Sequence, residues 1–94
     1  MSQAVSVVCR PEGDGWSCHV RVGSDAGATQ HEVSVSRAEL ATYAPGADDP
    51  TRLVEASFAF LLGREPRESI LRHFSLSTIE RYFPAYRADI ASRG

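Results

Sequence analysis

Leu53–Ile90 reads LVEASFAFLLGREPRESILRHFSLSTIERYFPAYRADI and contains all four phenylalanines of the 94-residue chain. Val54, Phe58, Leu61 and Leu62 recur at i, i+4, i+7 and i+8, while Leu53, Ala56 and Phe60 carry apolar surface beyond that face. Such a helix is covered on more than one side. Asp49-Pro50 supplies an N-cap followed by proline at the first helical position, where its missing N–H costs nothing, and Gly63 supplies the stop. A central buried helix ending at Leu62 is therefore predicted, with the sheet on one side and later helices on the other. Ser57 falls inside the apolar stripe, where its hydroxyl is expected to donate to the Leu53 carbonyl one turn back.

Past Gly63, Pro66 is expected to open a helix with Ile70, Leu71 and Phe74 on its apolar face, because Glu65 before it is pushed out of the α region. FSLS breaks that pattern, and Ser77-Thr78-Ile79-Glu80 fits a capping box. Ile79, Tyr82, Phe83, Tyr86 and Ile90 keep helical spacing through Pro84, where a break is expected.

Before the helix, Val5 to Arg10, Trp16 to Val22 and Thr29 to Ser36 alternate apolar and polar residues, separated by EGDG and GSDAG. Alternation bounded by Gly and Asp reads as hairpins. Val5, Val7, Cys9, Trp16, Cys18, Val20, Val22, His31, Val33 and Val35 fall on one face. The other face carries polar residues, with Val8 the apolar exception. A turn centred on Gly13-Asp14 sets Cys9 opposite Cys18, Val7 opposite Val20 and Val5 opposite Val22, so inward residues meet inward residues. Ser36 to Glu39 forms a capping box for a short helix from Arg37 to about Tyr43.

The fold expected is α+β: a three-stranded antiparallel β-meander followed by four to five short helices around a central buried helix. Residues 1–94 make one domain, with 1–36 the meander and 37–94 the helical part. An apolar fraction of 43% and a charged fraction of 23% are those of an ordinary globular protein. The start has no basic region followed by an apolar run, and Phe58 to Leu62 is too short for a membrane span, so a cytoplasmic location away from membranes is expected. Residues 1–50 hold three Arg against seven acids, and residues 51–94 hold seven Arg against five, for a net charge of −2. A phosphate-binding module shows a stronger basic excess.

From Ser57 to Tyr86 the wording resembles a group of small uncharacterised bacterial proteins with the pattern SFxFLLxREPxESILxxFxLxxIxxYFPxY. The resemblance covers about a third of the chain. It implies no activity, ligand or catalytic residue.

For chemistry, the opposed Cys9 and Cys18 allow a cross-strand disulfide, a metal site or two buried thiols, and a cytoplasmic setting favours reduced thiols. Zinc would need His31 or His19, but the spacing lacks the short paired ligands of structural sites. His31 is placed inward, His73 on a helix flank and His19 in solvent. No nucleophile elbow or phosphate-cradling glycine loop is present in the sequence, so no catalytic residue, cofactor or metal is expected. Ile70 to Tyr82 has the outline of a helix-turn-helix, but Pro84 curtails its second helix and Glu80 would face phosphate. The function expected is a non-enzymatic protein-interaction or regulatory module with an unknown protein partner or a second copy of itself. A nucleic-acid-binding regulator using residues 70–82 is the alternative. Arg64, Arg67, Arg72, Arg81, Tyr82, Tyr86 and Arg87 are the surface candidates, since Arg and Tyr are enriched at interfaces. The sheet's polar face and strand edges offer a second route, by strand addition or dimer formation.

Overall fold

The computed structural model describes residues 4–93 of the chain. The three alternating segments form β1 (Val5–Glu12), β2 (Gly15–Val22) and β3 (Thr29–Val35). β1 and β2 pair antiparallel in the predicted register, with Cys9 opposite Cys18 and Val7 opposite Val20. Gly13 takes φ +60°, which opens the mirror-image type II′ turn that matches strand twist. β2 and β3 pair with Val20 opposite His31 and Cys18 opposite Val33. The inner face of β2 and β3 is buried, whereas Ser6, Val8, Arg10, His19, Arg21, Gln30 and Ser34 are exposed.

A fourth strand, β4 (His73–Ser75), runs parallel to β3 and completes the order β1-β2-β3-β4. The fold class is α+β as expected, but the sheet is four-stranded and mixed, not a three-stranded antiparallel meander. Where a helix was expected after Pro66, a single 3₁₀ turn, Arg67–Ser69, leads into this strand. The cause lies on β3. Its Glu32 N–H donates to the Arg72 carbonyl at 2.7 Å, and the His31 ring bonds the Leu71 carbonyl at 2.7 Å, so this edge captures the backbone of the following segment. His73 accordingly lies on a strand, not on a helix flank.

α1 (Arg37–Tyr43) starts with the predicted box: Glu39 N–H donates to Ser36 Oγ at 3.0 Å, and Ser36 N–H donates to Glu39 Oε1 at 2.8 Å. α2 (Thr51–Leu62) begins one residue later than expected, with the Asp49 carboxylate accepting the Thr51 N–H at 2.8 Å. α3 (Leu76–Tyr82) and α4 (Tyr86–Arg93) meet at the predicted break around Pro84. The second box does not close. Ser77 N–H donates instead to Glu39 Oε2 at 2.9 Å, so one carboxylate caps α1 and holds the first turn of α3.

α2 sits between the sheet and α4, in contact with β1 and α4. Its neighbouring aromatics divide the work. Phe58 meets His31 and Phe74 at ring distances of 5.3 and 6.0 Å, and Phe60 meets Tyr86 and Phe83 at 5.5 and 6.0 Å. Ser57 donates to the Leu53 carbonyl at 2.7 Å as expected, and Tyr86 Oη lies 2.6 Å from the same hydroxyl. Cys9 and Cys18 are joined as a disulfide, which corrects the expectation of reduced thiols. Directly opposed positions with Cα atoms 4.0 Å apart bring the two sulfurs together. Among the described residues no helix is long and apolar enough to cross a membrane.

Candidate functional site

The seven surface candidates separate once their contacts are known. Tyr86 is fully buried, so it belongs to the core and not to a surface. Its spacing from Ile79 and Ile90 marked the same helical face, and that apolar spacing outweighs the residue's general preference for interfaces.

Arg87 is occupied internally. Its guanidinium donates to both oxygens of Glu80 at 3.1 Å and lies 5.4 Å over the Tyr43 ring, while the Tyr43 hydroxyl donates to Glu80 at 2.5 Å. Arg87 and then Tyr43 hold the Glu80 carboxyl below its usual range. Burial, reinforced by Glu80, pushes Tyr43 up to about 12. The triad fastens α1 to α3 and α4.

Arg67 is also structural. Its side chain is only 16% exposed, donates to Asp25 at 3.1 Å and to Glu68 at 3.3 Å, and fills the hollow of the β2–β3 loop. Gly23 in this loop takes φ +94°, a conformation that residues with a Cβ rarely adopt, so the loop favours glycine there, and a Cβ would in addition displace the end of the Arg67 side chain. Arg64 lies 4.0 Å over the Phe60 ring. Arg72, Arg81 and Tyr82 remain. All three are exposed, and the two arginines have no ion pair among the described residues.

Of these, Tyr82 lines a groove of about 300 Å³ between the C-terminal end of α2, β4 and α3. Arg72 and Arg81 are the chain neighbours of the lining residues Leu71 and Tyr82 and do not line it themselves. Leu61, Ile70, Phe74, Ile79 and Phe83 form its apolar floor and walls, and Glu65, Ser69 and Thr78 supply the few polar groups. Leu71 and Tyr82 complete the lining and stand 50% and 67% exposed. The strand at His73–Ser75 creates this groove. With 73–75 held as a strand and no helix over 70–72, Leu71 stands outward, whereas on a helix it would have shared the buried face of Ile70 and Phe74. Leu71 is thus the site residue that sequence patterning misses. Only its adjacency to β3 in space reveals it.

The same strand removes the helix-turn-helix outline. Across 70–82 there is one helix, α3, preceded by a strand, so the pair of helices on which a nucleic-acid alternative rested is not formed.

Two histidine environments bear on catalysis. His31 is buried, with Nδ1 at 2.7 Å from the Leu71 carbonyl and Nε2 at 2.9 Å from Thr29 Oγ1. A carbonyl only accepts, so Nδ1 carries the proton and Nε2 accepts from the threonine. Burial holds this ring below its ordinary pKa. It is a satisfied core residue joining β3 to the start of β4. On the outer face Glu32 accepts from Ser17 at 3.2 Å and contacts His19 Nδ1 at 2.8 Å. The carboxylate stands between Ser17 and His19, so this hydroxyl and this imidazole do not touch, and the one hydroxyl–imidazole contact among the described residues, Thr29 with His31, is buried. Among the described residues no group of three or more His, Cys, Asp or Glu is arranged to hold a metal.

In comparison with known proteins, the chain matches no family model, no curated protein and no solved structure.

Proposed function

We propose that the chain is a non-enzymatic protein-interaction module that receives a short apolar and acidic segment of a partner protein in the groove between α2, β4 and α3. The observation that supports this reading is the exposure of Leu71 and Tyr82 at the mouth of an apolar cavity. Large apolar side chains left in water beside a concave apolar surface mark a place where a partner removes them from water. The neighbouring Arg72 and Arg81 favour carboxylates flanking the apolar anchors of that segment. A peptide supplies both. Tyr82 is suited to an anchor role because its ring offers large area with few rotatable bonds.

Selection of peptides from a random displayed library against the immobilised protein tests the proposal. Recovered sequences should carry large apolar residues with Asp or Glu nearby, and Leu71→Glu or Tyr82→Ser should weaken their binding by about tenfold or more. Peptides that bind both variants as tightly as the parent would refute the groove as the site. Binding of duplex DNA with a steep salt dependence, abolished by Arg72→Ala with Arg81→Ala, would replace it with the nucleic-acid reading.

A further inference from the structure

We propose that β1 is a pairing edge for a second copy of this chain, joined antiparallel about a twofold axis at Val7. This surface is separate from the groove and does not depend on it.

β1 ends the strand order, so one side of it has no strand neighbour among the described residues, although α2 also packs against β1. The phase of its hydrogen bonds is fixed by Ala4, whose carbonyl accepts from the Gly23 N–H at 2.7 Å. In antiparallel strands alternate residues exchange bonds with a given partner. Ser6, Val8 and Arg10 therefore face β2, and Val5, Val7 and Cys9 direct their N–H and C=O groups to the open side. The 4.0 Å separation of the Cys9 and Cys18 Cα atoms agrees, since the closer spacing belongs to pairs that exchange no bonds. Pro11 falls in the outward phase. Its missing N–H faces the open edge, where a ladder with β2 does not need it, and it ends the run of usable donors.

Edge strands are ordinarily blunted by bulges, charges, proline or shortness, and β1 has such devices only at its far end, in Arg10, Pro11 and Glu12. Val5–Cys9 shows none of these: its pairing with β2 is unbroken and it contains no charged residue. The other edge of the sheet, β4, has only three residues. Val8 adds an exposed apolar side chain, 70% accessible, on the outer face of the same strand.

A second copy satisfies these groups in one register. A twofold axis perpendicular to the sheet keeps inner face with inner face, so opposed residues must have numbers of equal parity. Centring on Val7 sets Val7 against Val7 and Val5 against Cys9 of the second copy, and uses every outward residue before Pro11. Moving the axis to Cys9 would set Val7 against Pro11 and lose a donor. In the Val7 register the exposed Val8 lies opposite Ser6 of the other copy. Arg10 and its mate lie at opposite ends of the ladder, about 20 Å apart at the usual rise per residue. Two four-stranded sheets then become one continuous eight-stranded sheet.

Sedimentation equilibrium up to about 1 mM protein tests this, with dimer expected and a monomer throughout overturning it. Val7→Pro removes an N–H that faces the open edge and spares the bonds to β2, so it should weaken dimerisation by about tenfold or more. A dimer unaffected by it would overturn the proposal. Should that variant fail to fold, the double variant Ser6→Cys with Val8→Cys remains decisive. Under mild oxidation it should crosslink two chains through these positions, and a dimer that does not crosslink there would refute the register.

Discussion

Replacing Ser57 by alanine should cost more stability than removing the hydroxyl of Tyr86, although the two groups share one hydrogen bond. The Ser57 hydroxyl has a single hydrogen, which goes to the Leu53 carbonyl at 2.7 Å, so the 2.6 Å contact with Tyr86 is donated by the phenol. Both side chains are fully buried. Ser57→Ala strands the tyrosine hydroxyl without an acceptor, at about 1–3 kcal/mol. Tyr86→Phe leaves the serine's own donation intact and removes a bond worth about 0.5–1.5 kcal/mol. The double variant contains no stranded group, so its loss should fall short of the sum of the single losses by about 1 kcal/mol. Urea unfolding followed by far-UV circular dichroism measures all four proteins. In a domain of this size each kcal/mol also moves the thermal midpoint by about 4–8 °C. A Ser57→Ala loss no larger than that of Tyr86→Phe, or losses that simply add, would refute the assignment of donor and acceptor.

Other consequences follow from the sheet. The untreated protein should be two hydrogens lighter than its reduced form by mass spectrometry. Replacing both Cys9 and Cys18 with alanine, which puts no hydroxyl at the buried Cys18 position, should lower unfolding free energy by about 2.5 kcal/mol, the chain-entropy value for so short a loop. His31 binds a proton less readily in the folded chain than in the unfolded one, because burial outweighs the pull of the Leu71 carbonyl, with Arg72 and His19 acting in the same direction. Its contribution to stability is therefore complete above the unfolded value of about 6.5 and declines as pH falls below it. The ring proton resonances of His31 should titrate below 6.5, and a midpoint above that value would contradict its buried, neutral state. Ser36→Ala should cost about 1 kcal/mol by opening the capping box, read as a lower urea midpoint.

How much of this was legible in sequence depended on the range of the interactions. Period and turn chemistry act locally, and they revealed the β1–β2 register, the α1 capping box, the α2 stripe and the break at Pro84. What they missed was decided across the chain. Residues 70–74 have apolar spacing compatible with a helix, yet the open edge of β3, forty positions earlier, recruits His73–Ser75 as a strand. Ser77 to Glu80 has the composition of a capping box, but Glu39 reaches the Ser77 amide first and Glu80 is taken by Tyr43 and Arg87. The candidate site shows the same division. Tyr82 and the exposed arginines were visible as residue types, whereas Leu71 became part of the groove only through β4, and Tyr86 left the surface because its helical face packs on Phe60 and Ser57.

The groove is the centre of this account, and amide chemical-shift mapping tests it most directly. Titration of the isotope-labelled protein with a selected peptide should move resonances of residues 61–65, 70–74 and 78–83 while leaving the outer face of the sheet unchanged. Shifts confined to the outer face, at residues such as His19, Glu32 and Ser34, would contradict it.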